Sequence, residues 1–253
     1  MFGKGINMRD IKDYSDKYVD EPFEANMVEI RKRMVMQQCL KYTHENILEI
    51  GCGMNPFFKD FSQYKNMVVV DPSDLFTENA RKFAEKRHNI YILKGFLEQM
   101  ETEIKKLNIK FDFIILSSLI HELDNPEKML QSVYKLCNKN TIVHINVPNA
   151  NSFHRLIAKE MGLIDDIHQQ SYQMEKMQRR RTYDMKILCD TVEKERFSVI
   201  DSGSYFIKPF THLQMQECLD NGIIDSSVIN GLEKMIKYFP EYGAGIYVNV
   251  RKK

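Results

Sequence analysis

The stretch that most constrains this chain is Ile47-Leu48-Glu49-Ile50-Gly51-Cys52-Gly53, followed after a short spacer by Val68-Val69-Val70-Asp71. An apolar, β-branched run leads into a tight glycine turn, and a second such run ends on a carboxylate. Gly51 and Gly53 let the backbone pass close to a ligand where a side chain would collide. A carboxylate at the tip of the next strand can accept both hydroxyls of a ribose. The pair points to a nucleoside-bearing ligand. A pyrophosphate site would need a third glycine, as in G-x-G-x-x-G. Pro56 stands at that position, and a proline there removes an amide that could hold a phosphate. The ligand expected is one with a ribose and no phosphates.

Around this core the pattern alternates between strand and helix. Strands are expected at 47–51, 67–71, 90–94, 111–117 and 141–147. Ser73-Asp74 caps a helix carrying Phe76, Ala80 and Phe83, and Asn125-Pro126 opens one carrying Met129, Val133 and Leu136. Repeated βα units imply a parallel sheet covered on both faces. Its ligands sit beyond the carboxyl ends of the strands, where Gly51, Asp71, Gly95 and Ser117 fall. Upstream, Phe23, Met27, Ile30 and Met34 keep helical spacing after Glu21-Pro22. Downstream, a helix is expected from Asp184, late strands at 197–200 and 246–250, and helix between 212 and 238.

The strings ILEIGCG, VVVDPS, FDFIILSSLIHELDNPEKML and IVHINVPNANSFHRL, in this order, resemble the class I S-adenosylmethionine-dependent methyltransferases. The likeness is greatest to the ubiquinone-methyltransferase-like group (methyltransferase types 11 and 23), common in surface-polysaccharide and small-molecule pathways. It covers roughly residues 15–250. The resemblance implies an α/β, Rossmann-like, seven-stranded, mostly parallel sheet with helices on both faces and an antiparallel last strand. It implies one domain with four parts: an N-terminal helical segment (1–44), a cofactor-binding core (45–148), a helical cap over the substrate site (149–182) and the rest of the sheet (183–253). The cofactor implied is S-adenosyl-L-methionine, with S-adenosyl-L-homocysteine as product.

Carried onto this sequence, the family pattern gives a cofactor set of Glu49, Gly51, Gly53, Asp71, Pro72, Ser73, Gly95, Phe96, Ser117 and Ser118. Glu49 orients the methionine part. Asp71 takes the ribose, with Pro72 and Ser73 beside the adenine. The acidic residue that the family often places after the third strand is absent. Phe96 stacking on the base and Glu98 substituting for that acid are both open. His121 and His154 are the candidate bases, since a histidine titrates near neutrality. His121 with Glu122 as a loop-shaping pair is the competing reading. Asn149, Asn151, Arg180, Arg181, Tyr183 and Lys208 are the candidate acceptor-side groups. The run Arg179-Arg180-Arg181 is either a solvated face or, with Lys208, an anion site, because an arginine fork suits phosphate and carboxylate. Tyr14 and Tyr18 either lid the cofactor or pack at the surface. His144, inside the fifth strand, is expected to be structural.

Composition limits the partners. A net charge of +1 gives no basic field for a nucleic acid, and no apolar run reaches the ~18–20 residues of a membrane span. Cys39, Cys52, Cys137, Cys189 and Cys218 form no Cys-x-x-Cys pair, so reduced thiols, no structural metal and a cytoplasmic setting are expected. The partner expected is a small-molecule acceptor. The activity expected is O-methylation of a sugar or phosphoramidate-type unit. N-methylation of a small amine, and a noncatalytic methyltransferase-like subunit, are the alternatives.

Overall fold

A computed structural model describes residues 11–12, 22–170 and 180–253; Tyr14, Tyr18 and Arg179 fall outside them. A seven-stranded sheet forms the centre. Its strands are β1 (Asn46–Ile50), β2 (Asn66–Asp71), β3 (Ile90–Lys94), β4 (Phe113–Ser117), β5 (Ile142–Pro148), β6 (Phe197–Tyr205) and β7 (Gly245–Lys252). Their order is β3-β2-β1-β4-β5-β7-β6. The first five run parallel, and β7 inserts antiparallel between β5 and β6. This is the Rossmann-like α/β arrangement that the sequence implies. The strand order reverses between β1 and β4, so the crevice above Gly51 and Ser117 is the switch point where such sheets bind ligands.

Alternate residues of each strand feed two cores. Ile47, Met67, Val69, Phe113 and Ile115 face one side, where α1 (Glu24–Cys39) and α2 (Asp74–Ala84) pack. Leu48, Val68, Val70, Ile114 and Leu116 face the other, under α3 (Leu97–Lys106), α4 (Pro126–Leu136) and α6 (Met185–Lys194). α5 (Phe153–Glu160) follows β5 in the expected insertion. α7 (His212–Asp220) and α8 (Ser226–Lys234) return to the first face through Met215 and Ile229. The helical stretch expected at 212–238 is broken at Gly222, whose φ of 63° is left-handed. β6 runs to Tyr205, well past the expected 200. Asp201-Ser202-Gly203-Ser204 has no apolar alternation because β6 is an edge strand, and its register shifts between Val199 and Asp201.

The turn before β7 is fixed by close contact. A Cβ at Gly243 would stand 2.6 Å from the Tyr205 backbone nitrogen and 2.7 Å from its carbonyl oxygen. Backbone cannot swing aside, so Gly243→Ala should cost about 1–3 kcal/mol. Urea denaturation measures this directly, and an unshifted midpoint would remove the constraint.

Candidate active site

One cavity opens at the switch point. Its floor is the turn after β1, where Gly51 (φ 78°) and Gly53 (φ 55°) both adopt the left-handed conformation. A Cβ at Gly51 would press on the Leu119 side chain at 3.4 Å. Asp71, at the end of β2, holds this turn. Its Oδ2 accepts from the Cys52 amide (2.9 Å) and, at longer range, from Gly53 (3.5 Å), and its Oδ1 accepts from Ser73 (2.8 Å). Burial pushes its carboxyl above the usual range, against the pull of those three amides.

Glu49 stands beneath, 5% exposed, with both oxygens on the Phe57 amide at 3.1 and 3.0 Å. Burial raises it to about 8, although the nearby Lys32 ammonium opposes the shift. Around neutral pH the cavity therefore contains a protonated carboxylic acid.

On the opposite rim, Ser117 and Ser118 are tied to Asn146. The Ser118 amide donates to Asn146 Oδ1 (3.1 Å), and Asn146 Nδ2 donates to Ser117 Oγ (3.0 Å). Ser118 has φ 54°, a strained value for a residue with a Cβ. Asn146 also meets His144 Nε2 (3.0 Å), and His144 Nδ1 meets Asn249 Oδ1 (2.8 Å). Burial lowers His144 to about 4, so it is a neutral member of this buried network. The network fixes the β4 turn from beneath.

Glu49, Gly51, Gly53, Asp71, Pro72, Ser73, Ser117 and Ser118 thus line one cavity. Gly95 and Phe96 are not on its wall. Gly95 adjoins it through its amide on the Asp71 carbonyl (3.0 Å), and Phe96 caps the start of α3, partly exposed. His121 is buried beside the rim, its Nε2 3.8 Å from Oε1 of the wall residue Glu122. Its carbonyl accepts the Arg180 and Arg181 amides at 2.9 and 3.1 Å.

The acceptor-side residues separate into two groups. Arg180 pairs with Asp124 (3.0 Å) and Arg181 with Glu127 (2.8 Å), away from the cavity wall. Tyr183 lies in the core and bridges to Asn149. Asn149 donates to the Glu241 and Gly243 carbonyls, both at 2.9 Å, and accepts from the Asn151 amide. These residues fasten the start and end of the post-β5 insertion. Lys208 and His154 form the second group, above the β5–β7–β6 end of the sheet. Lys208 is 2% exposed, with Nζ 3.0 Å from His212 Nδ1. His154 is driven well below its ordinary value by burial and by the charges of Lys208, His212 and Arg155.

One wall was missed in the sequence. Glu24, Val28, Arg31, Lys32 and Val35 of α1 face the cavity. Their spacing is helical, so charges set into an apolar stripe were the available signal. Arg31 bonds Glu24 (3.2 Å), and Lys32 bonds Asp60 (2.5 Å).

Comparison with known proteins agrees with the family and the fold. The model of a family described as a methyltransferase domain matches residues 23–195. A Thermotoga maritima protein, described as a SAM-dependent methyltransferase and possible histamine N-methyltransferase, superposes with a TM-score of 0.58 at 19% identity. That match covers 96% of this chain and 100% of the other. The N-methyltransferase NodS of Bradyrhizobium japonicum, in complex with S-adenosyl-L-homocysteine, superposes at 0.57 with 10% identity, covering 96% and 99%. The plantazolicin methyltransferase BamL, with a triazolic desmethyl-plantazolicin analogue and S-adenosylhomocysteine, superposes at 0.58 with 16% identity, covering 95% and 90%. Among curated proteins none matches this chain.

Proposed function

The chain belongs to the class I S-adenosylmethionine-dependent methyltransferases, and on that premise we propose that it O-methylates a small, polar, anionic metabolite. The cavity fits the family's cofactor. The left-handed turn at Gly51 and Gly53 leaves room for close approach, Asp71 offers carboxylate lone pairs at the rim, and Pro56 withholds a phosphate-binding amide. Glu49 and the cations of α1 lie where a zwitterionic amino-acid moiety can be matched. When bound, S-adenosylmethionine supplies an electrophilic methyl group.

The protein's part is alignment and proton management. Methyl transfer from a sulfonium to the acceptor expels a neutral thioether, which needs little acid catalysis, so fixing the acceptor in line is the main requirement. Ser118, held at a strained φ by Asn146, and Leu119 form the rim nearest the β4 turn. An acceptor alcohol also needs a base. His154 and His121 are the available imidazoles, and His154 is the one grouped with the buried ammonium of Lys208. That grouping is the observation carrying the O-methyl, anionic reading. It suits a sugar or phosphoramidate-type unit bearing a charged group, of the kind used in surface polysaccharide.

A second reading is N-methylation of a small amine. It is favoured by the Glu24 carboxylate on the cavity wall, which could receive an ammonium, and by structural neighbours that include an N-methyltransferase. Release of S-adenosylhomocysteine separates the two. One pool holds phosphorylated or nucleotide-linked sugars and phosphorylated amino compounds. The other holds their uncharged counterparts and free amines. Turnover confined to the first pool is expected. Turnover confined to free amines would replace this reading with the second.

A further inference from the structure

A row of polar side chains crosses the α1 face of the sheet, from the edge strand to the cofactor cavity. Strand register sets it. Asp201 of β6 stands opposite Asn249 of β7, Asn249 opposite His144 of β5, and Asn146, two residues on, opposite Ser117 of β4. His144, Asn146 and Asn249 are fully buried. Elsewhere this face is built from Ile47, Met67, Val69, Phe113 and Ile115. A buried polar row adds little stability over apolar packing, but when its hydrogen bonds are satisfied it fixes the orientation of every member.

The row has one direction, and both ends agree on it. A carboxylate only accepts, so the Asn249 atom 3.3 Å from Asp201 Oδ2 is Nδ2, which also donates to Gln38 Oε1 (3.0 Å). Asn249 Oδ1 then faces His144 Nδ1 at 2.8 Å, so Nδ1 carries the ring proton. His144 is neutral, so its Nε2 accepts, and Asn146 Nδ2 donates to it at 3.0 Å. At the cavity end the Ser118 amide only donates. It meets Asn146 Oδ1 at 3.1 Å, which demands the same orientation. The second Nδ2 hydrogen of Asn146 goes to Ser117 Oγ at 3.0 Å, so Ser117 is an acceptor within the row. Its own proton has one long partner there, Asn146 Oδ1 at 3.3 Å, which the Ser118 amide already occupies. That proton can turn instead to an acceptor in the cavity that Ser117 lines. The ends differ in firmness. The Ser118 amide also has the Asn146 main-chain carbonyl at 2.9 Å, whereas Asp201, held by Lys41 at 3.0 Å, cannot reverse.

We propose that Asp201, acting through Asn249, His144 and Asn146, is a positioning residue that keeps the Ser117 hydroxyl a hydrogen-bond donor to the carboxylate of the cofactor's amino-acid part. Asp71 marks the ribose end of the cavity on β2. Ser117 stands two strands away on β4, with Glu49 of β1 between them. A cofactor whose ribose meets Asp71 extends its amino-acid part in that direction. In a reversed row Asn146 would turn its oxygen to Ser117 Oγ and draw the hydroxyl proton inward, away from the ligand. The role given to Ser117 rests on the methyl-transfer reading; the direction of the row does not.

Nitrogen-15-labelled histidine in the full chain reads the row directly. Two-bond proton–nitrogen spectra show which ring nitrogen carries the proton. His144 is identified by its cross-peaks to Phe113 and Tyr247, whose ring centroids lie 6.2 and 5.7 Å from its own. A protonated Nδ1 and a bare Nε2 are expected at neutral pH. Asp201 lies on the edge strand and is partly exposed, so Asp201→Ala leaves the core intact. It should admit the opposite tautomer. Affinity is then read by calorimetry with S-adenosylhomocysteine and with methylthioadenosine, which lacks the amino-acid part. Ser117→Ala should weaken S-adenosylhomocysteine by about ten-fold and leave methylthioadenosine unchanged. Asp201→Ala should weaken S-adenosylhomocysteine by about three-fold or more in the wild-type background and not at all in Ser117→Ala, because the two act as one unit. Equal losses in both backgrounds, equal losses for the two nucleosides, or an unchanged tautomer and affinity in Asp201→Ala would each overturn the proposal. So would a wild-type His144 protonated on Nε2. A protein with the expected tautomer that binds neither nucleoside would remove the methyl-transfer reading, and the role of Ser117 with it.

Discussion

Replacing Asp71 by alanine is expected to weaken S-adenosylmethionine binding by at least about ten-fold, or 1.4 kcal/mol, measured by isothermal calorimetry. Two losses act together. The variant lacks the carboxylate that faces the cavity from the tip of β2. It also strands the Cys52 and Ser73 amides, which donate to that carboxylate at 2.9 and 2.8 Å. Stranding a buried amide costs about 1–3 kcal/mol, so the variant should also lose stability. Asp71→Asn separates the contributions. It keeps an acceptor oxygen for one of the amides, so it should be the more stable variant, while still lacking the charge. If both variants bind the cofactor as tightly as wild type, Asp71 is only a fastener of the glycine turn.

This dual use explains why the centre of the site was legible in the sequence. Glu49, Gly51, Gly53 and Asp71 lie on two strand ends joined by one turn, so their spacing along the chain fixes their spacing in the fold. The sheet was legible for a similar reason, since β1, β2, β4 and β5 are apolar runs buried on both faces. The α1 wall was not. Glu24 and Arg31 reach the cavity only because Met27, Ile30 and Met34 seat the helix against the sheet, and that docking angle leaves no local mark. Charge runs mislead in the same way. Arg180 and Arg181 advertise an anion site in one dimension, yet Asp124 and Glu127, distant in sequence, pair with both. Lys208 stands alone in sequence among apolar neighbours. That its charge is felt at His154 depends on β6 and β7 turning back beside β5.

Glu49→Gln should make the protein more stable in mild alkali while weakening its hold on the cofactor. In the folded protein Glu49 titrates at about 8, against an ordinary value of 4.5. Below the ordinary value both folded and unfolded chains carry the proton, and Glu49 costs nothing. Between the two values the unfolded chain ionises while the folded one does not, so stability falls as pH rises, and the full loss is reached above about pH 8. The size of that loss is about 5 kcal/mol as an upper bound. A glutamine keeps an acceptor for the Phe57 amide and has no proton to lose, so thermal unfolding should show the variant gaining on wild type as pH rises. Binding should move the opposite way. The cationic sulfonium and ammonium of S-adenosylmethionine favour the ionised acid, so wild-type binding should release a proton at neutral pH and tighten by up to about ten-fold per pH unit until Glu49 is ionised. The ligand's own amine titrates nearby, but equally for both proteins, so the difference between wild type and Glu49→Gln isolates the carboxyl. Calorimetry in buffers of unlike ionisation enthalpy counts the released proton. Equal proton release in the two proteins would mean that Glu49 keeps its proton throughout and serves only to hold the Phe57 turn in place.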